Sequence, residues 1–410
     1  MGTVIQLTCV ACGEVAPAEA LTCPSCGPEG TLDVHYDLAA ARPDFERDLQ
    51  DPRLRGVWRY RAILPVRDDG PRAPLQVGPT PLLCVDPARA PGGLRALTIK
   101  DDGRLPTASF KDRATCVAVA RALESGAEGL LCASTGNAAS SLAGFCAAAG
   151  LRAVILVPRS APRAKLAQLL VYGAELFPVE GTYDDAFDLS LPAAERLGLV
   201  LRSTGVNPYL AEGKKTGALE LAEQFGWNLP EWVAVSVGDG CIVSGLYKGF
   251  RDLRDMGLIP QVPKLLGVQA AGSDALTRAW EAGLDAPAQV KAHTVADSIS
   301  VDRPRDGRKA LRAIRESGGR FVRVSDEQIL AAMPAIARAS GVFSEPAGAT
   351  SLAGLLQAQA DGVIGADTPC VAWVTGSGLK DADSAIRAAG GIPDPIEPTL
   401  EALEVALRAR

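Results

Sequence analysis

Only two histidines, His35 and His293, stand in 410 residues. A Ser-His-Asp relay or a histidine-rich catalytic metal site is therefore excluded, and proton transfer must fall to other groups. Positive charge is also short: 42 Lys and Arg against 48 Asp and Glu leave a net charge of −6. That balance argues against nucleic acid or an anionic membrane as the main partner. No apolar run approaches the ~18 residues of a membrane helix, and the most apolar stretch, 151–158, is strand-sized. The start, Met1-Gly2-Thr3-Val4, has neither a basic segment nor an apolar one, so no secretory signal is expected. Six of the ten cysteines, Cys84, Cys116, Cys132, Cys146, Cys241 and Cys370, are scattered among small and apolar neighbours. A thiol there behaves as a small hydrophobe, which fits a reducing compartment and a cytoplasmic protein.

The other four cysteines are clustered. Cys9-Val10-Ala11-Cys12 and Cys23-Pro24-Ser25-Cys26 are each followed at once by glycine. Two such turns can bring four thiolates to ~2.3 Å from one zinc ion in a closed, structural tetrahedron. A redox pair, or a ribbon that keeps its cysteines without the metal, remains open.

At roughly 150 residues per domain the length suggests two or three domains, enough to bury a core without disulfides. From about residue 75 short apolar runs alternate with alanine-rich stretches. Strands are expected at 95–100, 129–133, 152–158, 176–180, 232–237, 265–269 and 370–375, and helices at 115–125, 140–149, 164–172 and 184–197. Strand, glycine-containing loop and helix in repetition indicate parallel α/β sheets buried on both faces.

Sheets of that kind bind ligands at the carboxyl ends of their strands, so four strand-end loops belong together. Pro106-Thr107-Ala108-Ser109-Phe110-Lys111-Asp112-Arg113 sets one lysine among small and hydroxyl residues. Ser134-Thr135-Gly136-Asn137 turns from a strand into a helix, where free amides suit a carboxylate or phosphate. Gly238-Asp239-Gly240-Cys241-Ile242-Val243-Ser244 has the glycines that let a backbone close around an anion at a helix dipole. The last is Thr375-Gly376-Ser377-Gly378-Leu379-Lys380-Asp381. Singly, each has an ordinary reading as a capping turn or a surface lysine.

Jointly, the set resembles pyridoxal-phosphate enzymes of the tryptophan synthase β-like group, fold type II, and among them the threonine synthases. The carrying motifs are the lysine octapeptide, Ser134–Asn137, Lys165-Leu166-Ala167-Gln168 with Tyr172-Gly173-Ala174, Glu212-Gly213-Lys214-Lys215-Thr216, and Thr375–Asp381. The resemblance implies an α/β, two-domain pyridoxal-phosphate fold with parallel-rich sheets flanked by helices, behind a short N-terminal cysteine segment. It implies a ribbon at 1–36, a large cofactor domain at 37–125 and 205–410, and a small closing domain at 126–204. Lys111 is then the catalytic residue, carrying the cofactor aldehyde as a Schiff base and moving protons once released, with a pKa lowered by burial and positive charge. Asn137, Gly238, Asp239, Gly240, Cys241, Ile242, Ser244 and Thr375 are expected at the cofactor, and Ser134, Thr135 and Gly136 at the substrate carboxylate. Cys9, Cys12, Cys23 and Cys26 are the candidate zinc ligands. A homodimer acting on a small amino acid is expected.

The motifs also depart from that pattern. Asp239 puts a carboxylate in the phosphate loop, and Cys241 and Ile242 are unusual there. Leu210 stands where an arginine commonly meets the substrate phosphate, and Gly205 where a serine does; Arg159, Arg163 and Lys165 are the substitutes the sequence offers. Three activities stay in view. The first converts O-phosphohomoserine and water to threonine and phosphate. The second eliminates or replaces a β-group on serine, threonine or O-phosphoserine. The third is a zinc-ribbon interaction protein with a degenerate enzyme body.

Overall fold

The cysteine segment forms its own sheet before any α/β unit begins. Strands β1 (Val4–Cys9), β2 (Val15–Ala16) and β3 (Leu32–Tyr36) pair antiparallel in the order β2-β1-β3, and helix α1 (Leu38–Gln50) follows. The chain then runs through β4 (Leu82–Cys84), β5 (Leu97–Asp101), α2 (Lys111–Ser125), β6 (Gly129–Ala133), α3 (Asn137–Ala149), β7 (Arg152–Pro158) and α4 (Arg163–Val171). Next come β8 (Glu175–Val179), α5 (Tyr183–Leu197), β9 (Val200–Leu201), α6 (Tyr209–Gln224), β10 (Trp232–Ser236), α7 (Cys241–Asp255), β11 (Lys264–Ala270) and α8 (Ala275–Glu281). The last are α9 (Gly307–Glu316), β12 (Arg320–Val324), α10 (Asp326–Ser340), α11 (Pro346–Ala360), β13 (Cys370–Val374), α12 (Ala382–Ala388) and α13 (Leu400–Arg408). This computed structural model describes residues 4–27, 29–161, 163–203 and 205–409, without the side chains of Ala164 and Lys165. The chain start at 1–3 and the expected domain limits at 1, 204 and 410 lie outside the described residues, as does the Lys165 side chain.

Two parallel sheets carry the α/β part. One has the order β12-β11-β10-β13-β5-β4, with only β4 antiparallel; the other, β8-β7-β6-β9, is parallel throughout. Alternation along each strand feeds opposite faces. In the larger sheet Val233, Val235 and Trp373 face one core layer, while Ala234, Ala372 and Val374 face the other. In the smaller one Leu130 and Cys132 oppose Leu131 and Ala133 in the same way.

The helix starts correct the sequence reading. Helix α2 begins at Lys111 rather than 115, and α3 at Asn137 rather than 140. Both first turns carry polar residues that interrupt the apolar periodicity, so pattern alone dates these helices one turn late. The motif residues are therefore the first turns of helices that point at a common space.

Behind α2 lies a buried charge network. Arg113 donates to Asp102 (2.7 and 3.0 Å) and to Glu220 (2.9 and 3.1 Å), and Lys100 pairs with the same glutamate (2.5 Å). These side chains are nearly or fully removed from solvent. Gly213 then brings α6 against α2: a Cβ there would lie 2.1 Å from the Arg113 carbonyl oxygen. The glycine of Glu212-Gly213-Lys214-Lys215-Thr216 is thus a requirement of backbone contact.

Candidate active site

A cavity of about 420 Å³ opens between the two parallel sheets, within the usual size range of small-molecule sites. Its walls bring together Lys111 from α2, Ser134–Asn137 between β6 and α3, and Gly238–Ile242 between β10 and α7. All three groups follow strand carboxyl ends, as expected of ligand sites in such sheets.

Lys111 is held in place by the loop after β13. The Phe110 amide donates to the Thr375 carbonyl (2.8 Å), the Ser377 amide donates to that of Ala108 (3.1 Å), and the Phe110 ring meets Trp373 edge-on at 5.8 Å. Asp112 points the other way, accepting from the Thr107 amide at 2.7 Å. Of three successive motif residues, only Lys111 faces the cavity. Burial, together with the cations Lys214 and Arg202, brings its amine down to about 8. The expected depression of this lysine is present, and its cationic neighbours are now identified.

Asn137 is oriented by two contacts, its Nδ2 donating to Glu345 Oε1 (2.8 Å) and Ser298 Oγ (3.3 Å). Burial pushes the Glu345 carboxyl up. Ser134, Thr135 and Gly136 lead into α3, whose N-cap Gly136 makes no side-chain cap, leaving first-turn amides directed at the cavity. Across from it, Gly240 adopts φ 92°, and Gly238 has no room for a Cβ, which would lie 2.9 Å from Ile299 Cα. Asp239 Oδ1 accepts the Arg305 backbone N–H at 3.2 Å, so the carboxylate that looked out of place ties this loop to residues 302–306. Burial pushes that carboxyl up as well.

Ser244 and Thr375 stand one layer behind the wall. Ser244 Oγ donates to the Gly240 carbonyl (2.7 Å), and Thr375 Oγ1 lies 3.4 Å from Ser236 Oγ. Sequence reasoning missed the segment 297–305, which covers one side of the cavity, together with Arg202, Ser203, Lys214 and Glu345. Residues 297–305 lack any apolar period, and single buried cations have no local signature. The proposed substitutes lie elsewhere: Arg159 is exposed and paired with Glu180 (2.5 Å), and Arg163 is exposed. Leu210 belongs to the core beside Ala114 and Val117 rather than to the cavity.

The four ribbon cysteines converge, their sulfurs all within 4.8 Å of one another, with Cys12 and Cys23 at 3.7 Å. A tetrahedron with ~2.3 Å Zn–S bonds has edges of about 3.8 Å, so the set fits zinc. Amide N–H groups of Ala11 and Cys26 point at Cys9 and Cys23 sulfurs (both 3.4 Å). A Cβ on Gly30 would fall 2.5 Å from Cys23 Cβ, so glycine lets the knuckles close. Hydrogen bonding to Cys12, with burial, pushes the Cys26 thiol up to about 12. Zinc is held by thiolates, so binding it would release protons from the cluster.

The ribbon docks on the catalytic body through polar contacts. Tyr36 donates to Glu212 (2.7 Å), Tyr209 to the Ala18 carbonyl (2.6 Å), and Lys248 to that of Val34 (2.6 Å). Lys215 joins this side, pairing with Glu212 (2.8 Å) and Asp252 (2.9 Å), while Lys214 turns to the cavity. Neighbours on a helix are about 100° apart, so two adjacent lysines serve two different places.

Comparison with known proteins places this geometry in a family. The family model described as "Pyridoxal-phosphate dependent enzyme" matches residues 73–376. The chain is 38% identical over 385 residues to a threonine synthase of Methanocaldococcus jannaschii, covering 93% of this chain and 94% of that one. It is 37% identical over 410 residues to a threonine synthase of Methanosarcina acetivorans, covering 98% of each. Among solved structures, the processed threonine deaminase isoform 2 of Solanum lycopersicum superposes with a TM-score of 0.64 at 21% identity, over 76% of this chain and 83% of the other. That last likeness shows a shared fold.

Proposed function

We propose, for a chain that belongs to the pyridoxal-phosphate-dependent enzymes and among them to the threonine synthase family, that this cavity converts O-phosphohomoserine and water to threonine and phosphate. It is a lyase of that cofactor class. The observation that carries the reading is Lys111: an amine brought down to about 8, facing a cavity flanked by two anion-ready helix N-termini.

Bound there, pyridoxal phosphate supplies an aldehyde for the substrate amine and an electron sink for its Cα. Lys111 removes the Cα proton, which an amine near pKa 8 does at neutral pH and an ordinary lysine does not. Gly238–Ile242 would cradle the cofactor phosphate, with Ser244 bracing the Gly240 carbonyl behind the loop, and Asn137, fixed by Glu345, would meet the ring hydroxyl. Thr375, beside Ser236 behind the wall, would supply a hydroxyl on the ring-nitrogen side, which would leave the ring less cationic than a carboxylate would and so favour elimination and replacement. Ser134, Thr135 and Gly136 hold the substrate carboxylate. A Cβ proton is then removed as well, phosphate leaves Cγ with the electrons of the Cγ–O bond, water adds its hydroxyl to Cβ, and protons return to Cγ and Cα.

The same reading includes a small closing domain at 126–204 against a large one at 37–125 and 205–410, a homodimer, a cytoplasmic location and a structural zinc in the 1–36 ribbon. Among the described residues no helix is long and apolar enough to cross a membrane. A closed four-thiolate site offers no position to substrate. Chelation, or serine at any of the four cysteines, is therefore expected to lower the melting temperature and leave kcat per folded molecule little changed. Protein that stays folded and cofactor-loaded yet loses all turnover would contradict this role.

The test of function is a product assay of the purified holoenzyme with O-phosphohomoserine, O-phosphoserine, threonine and serine. Stoichiometric phosphate and threonine from the first is expected. Ammonia from threonine or serine, without phosphate release from O-phosphohomoserine, would establish the elimination reading that Gly205 and Leu210 favour.

A further inference from the structure

Arg202 and Lys214 are each only 1% exposed and both line the cavity, yet neither has a carboxylate within 4.0 Å among the described residues. Arg202 follows β9, its amide donating to the Leu131 carbonyl (2.7 Å) of β6, the strand that leads into Ser134. Among the described residues its guanidinium has one hydrogen-bond partner, the Thr115 hydroxyl, at 3.1 and 3.2 Å. Lys214 Nζ has no hydrogen-bond partner among the described residues. The same wall includes Ser203, 4% exposed, whose Oγ is buried without a partner among the described residues. The carboxyls nearest in charge to Lys214 are Asp306 and Asp239, both pushed toward the neutral form by burial. Asp239 is engaged by the Arg305 amide, and Asp306 has Lys309 at 3.9 Å.

Burying a cation without a counter-charge is costly, and the cost is tolerated where an anion arrives to meet it. The reading above already places two anions: the substrate carboxylate at α3 and the cofactor phosphate at α7. A planar guanidinium fork, an unpartnered ammonium and an unused hydroxyl make a third set, suited to a phosphate dianion. A substrate such as serine or threonine has nothing to put there.

We propose that Arg202, Ser203 and Lys214 bind the phosphate group of a phosphorylated amino-acid substrate, in place of the contacts that Gly205 and Leu210 lack. Lys214 also borders a small hollow shared with Gly205 and Leu210. The proposal rests on the functional reading above.

The test uses holoenzyme of Arg202→Met and Lys214→Met, with Arg202→Lys as the charge-keeping control. Each methionine variant is expected to raise KM for O-phosphohomoserine by about 30-fold or more, with a parallel loss of inhibition by inorganic phosphate. Cofactor absorbance per chain should stay unchanged. The melting temperature without ligand should hold or rise, since methionine replaces an unpaired buried cation; a structural role would lower it. Arg202→Lys should fall between. Unchanged KM and unchanged phosphate inhibition, in variants that still make threonine, would overturn the proposal. Loss of cofactor absorbance would also overturn it, assigning these residues to the cofactor phosphate. An unmodified enzyme that releases no phosphate from O-phosphohomoserine would remove the functional reading itself, and this proposal with it.

Discussion

Lys111→Ala is expected to abolish turnover, by at least about 10³-fold, and to remove the visible absorbance of lysine-linked cofactor while leaving the fold intact. Lys111 occupies the first turn of α2 with its side chain in the cavity, so truncation removes no core contact. Lys100 and Lys380 cannot replace it. Lys100 is locked against Glu220 behind the helix, and Lys380 donates to Ser140 (2.9 Å) and Gln168 (3.3 Å). The Lys100 replacement should therefore cost stability and leave the residual chemistry intact. The lowered amine adds a pH signature. Capture of pyridoxal phosphate by the apoprotein needs the neutral amine, so its rate should climb as pH rises through about 8 and level off above. A capture rate still rising steeply at pH 10 would mean that Lys111 behaves as an ordinary lysine. Turnover within tenfold of the unmodified enzyme in Lys111→Ala would remove the mechanism.

Arg113→Met should be the most damaging change to stability. It leaves Asp102 and Glu220 buried with Lys100 as their remaining cation, and breaking a buried pair of this kind typically costs about 3–5 kcal/mol. Against burial, which pushes it up, Arg113 and Lys100 hold the Glu220 carboxyl down to about 2. A depressed carboxylate stabilises the fold fully above its unfolded value near 4.3, and that contribution is lost as pH falls toward 2. The variant should thus unfold at a higher pH on the acid side and at lower urea at pH 7, with Glu220→Gln recovering part of the loss. An unchanged urea midpoint would show that the network is not what anchors α2. Because Arg113 lies two residues from Lys111, the network also keeps the catalytic amine where the cavity needs it.

Much of the site could be read from residue order because its parts are local. Lys111, Ser134–Asn137 and Gly238–Ile242 each combine a strand end, small residues and a helix start, and such loops adopt their form from nearby backbone chemistry. The Cys9/Cys12 and Cys23/Cys26 pairs are legible for the same reason, since each knuckle is a turn of four residues. The helix starts at 111 and 137 were less legible, because polar first turns hide the periodicity that marks a helix.

Arg202, Ser203, Lys214 and Glu345 left no such trace. The meaning of each depends on burial and on partners far along the chain: Glu345 meets Asn137 across 208 positions. Asp239 shows the same limit, since only the approach of residue 305 gives its carboxylate a partner. The neighbouring lysines Lys214 and Lys215 make the division concrete. By itself the sequence determined that this is an α/β enzyme with one lysine on a strand-end loop, two helix N-termini ready for anions and a four-thiolate ribbon. Tertiary structure decided which lysine faces the cavity, which one braces the ribbon, and where uncompensated positive charge collects. Charge that is cheap in water becomes informative only once packing has removed the water and the counter-ions from around it.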